Sequence, residues 1–117
     1  MQLNGSVRWL ALCALMLLGG CAAPHQPLYY WGGYQAQTYA HFTSETAPEA
    51  QIEALEADLQ KARAKGMALP PGYHAHLGML YAKVGKDDQV VQQLETERTQ
   101  FPESASFVDF LLGQFRK

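Results

Sequence analysis

A chain of 117 residues with nine Lys/Arg, eleven Asp/Glu and a net charge near −2 has room for one small domain. A slightly acidic chain without a block of like charges is a poor match for nucleic acid or for anionic lipid headgroups, so neither is expected as a partner.

The chain opens MQLNGSVRWLALCALMLLGGCAAP. Arg8 supplies a positive start, Trp9 to Leu18 an apolar run, and Gly19-Gly20 the small residues beside a cut, which is the build of a secretory signal. The run is too short to cross a bilayer as a helix, which takes about 20 apolar residues. Residues 1–20 are therefore expected to leave as a signal peptide. Leu18-Gly19-Gly20-Cys21 resembles the lipobox of bacterial lipoproteins. That resemblance implies that the Cys21 thiol receives diacylglycerol, that cleavage makes Cys21 the first mature residue, and that its freed amine is then acylated. An ordinary signal with Cys21 as a free thiol is the weaker reading, because a chance cysteine rarely falls just behind an apolar run and two glycines. Cys13 follows Leu12 inside the run, fails the small-residue requirement and leaves with the signal. The single remaining cysteine, thioether-linked, forms no internal disulfide. Each acyl carbon buried in lipid contributes about 0.8 kcal/mol and one chain anchors only marginally, so the three chains expected at Cys21 make a stable anchor. No other cofactor is expected. In the lipoprotein sorting pattern an aspartate after the cysteine favours the inner membrane; Ala22 stands there, which implies the outer membrane, with the domain facing the periplasm.

Residues 21–28 form the lipidated cysteine and a short tether, stiffened by Pro24 and Pro27, and residues 29–117 a single domain. At about 3.1 Å per residue for polyproline II, the tether reaches roughly 20 Å, so the domain sits close to the membrane. The stretch that follows, LYYWGGYQAQTYAHF, is dense in aromatics. Read as a helix over 31–42, it puts Trp31, Tyr34, Thr38 and Phe42 on one stripe facing a core, with paired glycines weakening its start by about 1 kcal/mol each so that it begins near Gly33.

From Thr46 onward the helix signals are clear. Thr46-Ala47-Pro48-Glu49 reads as a capping box in which the threonine hydroxyl accepts from the Glu49 N–H and the glutamate reaches back. Ile52, Leu55, Leu59 and Ala62 recur at helical spacing, Gly66 terminates, and Leu69-Pro70-Pro71-Gly72 prevents continuation. A helix runs from about Tyr73 to Val84 and ends at Gly85. The next runs from about Asp87 to Thr99, with Val90, Val91 and Leu94 apolar, and stops at Phe101-Pro102. The last starts with Ser104 as its cap and uses Phe107, Val108, Leu111, Leu112 and Phe115. Nothing here reads as strands joined by hairpin turns, so the fold class is all-α.

Within 71–104 the positions Leu77-Gly78, Tyr81, Gly85, Val90, Leu94 and Pro102 resemble a tetratricopeptide repeat, a helical hairpin of 34 residues. A small Gly78 lets the partner helix approach while Tyr81 and Leu94 fill the space between. The hairpin is divergent, since His74 stands where the pattern prefers tryptophan, and Val90 and Glu97 where it prefers alanine. One such hairpin cannot bury its own apolar face and needs neighbours. The expected architecture is about five helices: two stacked hairpins, the first begun by the aromatic stretch, and a C-terminal capping helix.

The lipobox, YYWGGY, LPPGYHAHLGMLYAKVG and FPESASFVDFLL together resemble a small family of uncharacterised proteobacterial lipoproteins, a domain of unknown function associated with lipoproteins of the CsgG type, the curli-secretion pore family. The resemblance implies a role in an outer-membrane assembly and a CsgG-like lipoprotein as an envelope partner.

Catalytic chemistry finds no foothold. His74 and His76 lie about 200° apart around a helix and cannot share an ion; His25 is in the tether and His41 on the first helix, without a ligand set at metal spacing, so no metal is expected. His74 is expected to pack where the repeat wants a large ring, and His76 to be solvated. Ser104, Ser106 and Thr46 sit at helix starts, where hydroxyls act as caps. Glu53, Glu56 and Asp58 read as a solvated helix face. The protein is expected not to be an enzyme. Three functions remain: an adaptor offering a groove to an envelope protein, a structural accessory or chaperone subunit of a CsgG-like complex, and a peptidoglycan binder. Tyr30, Tyr39 and Tyr73 are the candidate partner-binding residues.

Overall fold

The computed structural model describes residues 2, 4–17 and 24–116. The stretch Leu18 to Cys21, and with it the expected lipidation at Cys21, lies outside the described residues. The elements in chain order are α1 (Gly5–Leu17), α2 (Tyr34–Thr43), α3 (Pro48–Ala64), α4 (Tyr73–Lys83), α5 (Asp87–Gln100), a 3-10 turn (Pro102–Ser104) and α6 (Ala105–Phe115). Among the described residues, no helix is long and apolar enough to cross a membrane. The chain is all helical: α2 pairs with α3, α4 with α5, and α6 closes on α5.

The chain enters the domain through a single parallel bridge, in which the Tyr30 N–H donates to the Ala68 carbonyl at 2.8 Å. This ties the end of the tether to the loop between α3 and α4. The apolar stripe read from α3 is buried as expected, with Ile52, Leu55, Leu59 and Ala62 all in the core. At Gly66 and Gly85 the chain turns left-handed, and each end closes with a backbone bond from the residue beyond the glycine, Met67 to Ala62 and Lys86 to Tyr81.

Helix α4 is the centre of the packing. Tyr73 to Gly78 are buried without interruption, as are Leu80 and Tyr81, and only Met79 and Lys83 of this helix are exposed. Gly78 sits where a Cβ would meet Gln93 Cβ at 3.4 Å and the Val90 carbonyl at 3.6 Å, and this small contact brings α4 and α5 together. Two tyrosine hydroxyls bind α4 to α3, Tyr73 donating to the Leu55 carbonyl and Tyr81 to Glu56.

The starts of the two hairpins are held alike. The Gly72 N–H donates to Glu97 Oε1 at 2.6 Å, while Glu97 Oε2 accepts from His74 N at 3.2 Å and Ala75 N at 3.3 Å. A buried carboxylate on α5 thus satisfies the free N–H groups at the start of α4 and meets its positive dipole end. In the first hairpin the Gly33 N–H donates to Asp58 Oδ2 at 2.6 Å, and Asp58 is also buried. Both pairs span 25 residues, and the second lies 39 residues after the first. Tyr34 and Tyr73 follow the two glycines at the same offset and touch, with ring centroids 5.2 Å apart. The hairpins are thus related by a degenerate internal repeat. Gly72 adopts φ +88°, a conformation that favours glycine, and a Cβ there would also press on the Tyr34 hydroxyl at 3.1 Å.

Several expectations are corrected. The capping box at Thr46 does not form: Ala47 is the N-cap of α3 without a side-chain bond, and the Gln51 amide donates instead to the Thr46 carbonyl at 2.7 Å. Ser104 does not cap α6 with its hydroxyl, which donates back to the Phe101 carbonyl because the 3-10 turn intervenes. Helix α2 starts at Tyr34, after the turn whose Gly33 N–H is held by Asp58, so Trp31 is not part of it and is 44% exposed. Phe42, eight residues beyond Tyr34, falls about 80° around the helix from it, whereas His41 falls only about 20° away. His41 accordingly faces inward and Phe42 is 80% exposed. Phe107 is exposed as well, since α6 buries Val108 and Leu112 and has no partner on its outer side among the described residues. His76 is buried and not solvated, because Tyr34 and His41 of α2 pack over its ring.

Truncating Glu97 strands three backbone donors inside the domain. Glu97→Ala is expected to lower stability by about 2–4 kcal/mol, combining a lost cap with buried unpaired N–H groups. Asp58→Ala, which frees one donor, is expected to cost about 1–2 kcal/mol. Urea unfolding monitored by circular dichroism measures both, and a shift within about 0.5 kcal/mol for Glu97→Ala would sink this account.

Candidate functional site

The three tyrosines singled out from the sequence separate in the fold. Tyr73 has no exposed surface: its ring fills the core against Tyr34 and its hydroxyl is bonded to Leu55, so it offers nothing to a partner. Burial pushes the Tyr73 hydroxyl well above the usual phenol range, with the Asp58 charge adding to the shift. Tyr30 is half-buried, packed against the core, with the Lys65 ammonium 5.1 Å from its ring centroid. Tyr39 alone of the three is open, at 64% exposure on the outer face of α2. Tyr30 falls off the apolar stripe drawn for a 31–42 helix, whose real register starts later, at Tyr34; Tyr73 stands on α4, and its burial follows from the packing of that helix against Leu55 of α3 and Tyr34 of α2.

Taken by element, the exposed surface is divided. Among the described residues from Tyr29 onward, the exposed large apolar side chains are Trp31 and, on α2, α4 and α6, Tyr39, Phe42, Met79, Phe107 and Phe110. None lies on α3 or α5. The charges run the opposite way: α2, α4 and α6 together hold two charged residues, Lys83 and Asp109, and Asp109 is bonded to Arg98 at 2.6 Å. Helices α3 and α5 hold eleven. The first helix of each hairpin and the terminal helix therefore expose apolar, almost uncharged surface, while the second helices are solvated. Composition by helix carried this signal in the sequence, but only knowing which residues of each helix are buried turns it into a face.

Beneath Phe42 lies a pair of histidines. His41 on α2 and His76 on α4 meet nearly edge to face, with ring centroids 5.1 Å apart, and the Tyr34 ring lies 6.0 Å from that of His76. His76 Nε2 is buried without a hydrogen-bond partner. Burial first, then the charges of His41 and Lys83, push His76 below the ordinary imidazole range; burial and Lys83 lower His41. His74, by contrast, packs in the hairpin and its Nδ1 is hydrogen-bonded to Gln93 Oε1 at 2.7 Å. Among the described residues no group of three or more His, Cys, Asp or Glu is placed to hold a metal ion.

Both histidines hold a proton less readily in the fold than at their ordinary value of 6.5. The unfolded chain takes up protons first, so stability is full above pH 6.5 and falls as the pH drops through 6.5 toward the lowered folded values. The melting temperature is expected to fall between pH 7 and pH 5, and His76→Gln to flatten that slope. An unchanged slope in His76→Gln would remove the pair from the explanation.

No curated protein and no solved structure matches the chain. One family model does, over residues 28–111, from the end of the tether into α6, a span that includes both glycine–carboxylate pairs and the divided face. The chain belongs to the family described as a domain of unknown function, DUF4810.

Proposed function

We propose that this protein is a non-catalytic adaptor, anchored in the outer membrane by lipid on Cys21 and facing the periplasm, that docks an envelope protein onto the apolar face of α2, α4 and α6. One observation carries the reading: exposed aromatic and apolar side chains gather on the helices that hold almost no charge. A face depleted of charge and rich in Tyr, Phe and Met has the composition of an interface core. Tyr39 and Phe42, three residues apart on the outer side of α2, are its aromatic anchors. The anchor is supported by Leu18-Gly19-Gly20-Cys21, and a CsgG-like lipoprotein as the partner by the resemblance to CsgG-associated lipoproteins. The short tether supports a partner that is itself at the membrane.

A second reading, peptidoglycan binding, is favoured by Trp31, half exposed with its ring stacked on Tyr34 at 6.3 Å, an arrangement that suits sugar stacking.

Incorporation of radioactive fatty acid is expected in the wild type and absent in Cys21→Ser; label retained by the variant would refute the anchor. Crosslinking in membranes followed by affinity isolation is expected to recover a partner from the wild type, and at least about tenfold less from the double variant Tyr39→Ala, Phe42→Ala, a loss of the size that two aromatic hot spots carry. Undiminished recovery would count against the face. Pelleting with isolated peptidoglycan that depends on Trp31 would move the assignment to the second reading.

A further inference from the structure

A cleft between α4, α5 and α6 lies apart from Tyr39 and Phe42. Its volume is about 280 Å³. Val90 and Leu94, both buried, form its floor, and Met79, Leu111 and Phe115 its sides. Two larger depressions, of about 600 and 500 Å³, are lined mainly by charged and amide side chains such as Glu56, Asp87 and Gln92, and have no such apolar lining.

Among the described residues, the only polar side chains lining the cleft are Lys83 and Gln114. Among the described residues, Lys83 forms no salt bridge and no carboxylate lines the cleft. An apolar slot with one unpaired cation and one amide is complementary to an apolar chain that ends in a single negative charge. At about 30 Å³ for each group the size of a water molecule, the volume holds roughly nine chain carbons. It is too small for the two tails of a phospholipid, and an α-helix, about 10 Å across, does not enter it.

We propose that this cleft binds one unesterified fatty acid, its carboxylate against Lys83 Nζ and the Gln114 amide and its tail over Val90 and Leu94. The site depends neither on Cys21 nor on a protein partner, so its failure and that of the adaptor reading are separable. Binding tightens with each buried carbon, by about fourfold at ~0.8 kcal/mol per methylene, and stops tightening once the cleft is full.

The full chain in lipid nanodiscs, irradiated with a diazirine-bearing decanoate and mapped by mass spectrometry, tests this. Label is expected on peptides carrying Met79 and Leu111. Unlabelled saturated acids are expected to compete about fourfold better per carbon until the chain reaches roughly ten carbons, and to gain nothing further. Decanol is expected to compete about tenfold less well, and Lys83→Glu to cut labelling by about the same factor, the size of a lost charge-assisted contact. Leu111→Trp, which fills the cleft and keeps Lys83, is expected to abolish labelling; a thermal melt reports whether it folds, and Lys83→Glu, at an exposed position, stands as the second test. The proposal is overturned by absence of saturable labelling in the wild type, or by equal competition from decanol and decanoate. It is likewise overturned by labelling undiminished in Lys83→Glu, or by a diazirine phospholipid that marks the cleft as strongly as the free acid.

Discussion

The carboxylate of Glu97 holds the first turn of α4, and most of the domain is arranged around that helix. Three backbone N–H groups at the start of a buried helix have no water to turn to, and one side chain from the neighbouring helix accepts from all three. A carboxylate placed there is itself compensated, since it meets donors and the positive end of the helix dipole instead of apolar surface. The bond fixes α4 along α5, Gly78 allows the close approach, and the hydroxyls of Tyr73 and Tyr81 then set α3 against the other side. Asp58 does the corresponding work with one donor at the start of α2, so the first hairpin is a looser copy of the second.

The burial of most of α4 has two consequences at the surface. A histidine that would be ordinary on a solvated helix, His76, is forced inside with one ring nitrogen unpartnered, and burial lowers its affinity for a proton. The charged residues of the domain are concentrated on α3 and α5, and two of the carboxylates there are turned inward as caps. The outer sides of α2, α4 and α6 are left with aromatic and aliphatic groups that the domain itself does not cover. Such a surface is costly in a free protein and useful in an assembled one.

Much of the fold was legible in the order of residues. The all-helical class, the buried stripe of α3, the turns at Gly66 and Gly85 and the pairing role of Gly78 follow from spacing and from what glycine and proline permit locally. The candidate surface was legible only in part. Tyr39 was placed outward, but Tyr30 and Tyr73 were too, and Phe42 and Trp31 were placed inward. The errors at Trp31 and Phe42 trace to the register of a short helix whose start is decided by a carboxylate 25 residues away, a signal that no local window contains, while Tyr30 and Tyr73 are drawn inward by bonds to Ala68 and Leu55. The presence of Glu97 where a repeat prefers alanine was the visible anomaly, and its meaning was a long-range cap.

The sequence by itself determined where helices can run, because helix periodicity, left-handed glycines and prolines act over a few residues at a time. Only the tertiary structure decided which tyrosines are core and which are surface, where the two buried carboxylates bind, and which helices present the apolar face. Those outcomes depend on which backbone groups are left without water once the helices meet, and that follows from contacts between residues far apart in the chain.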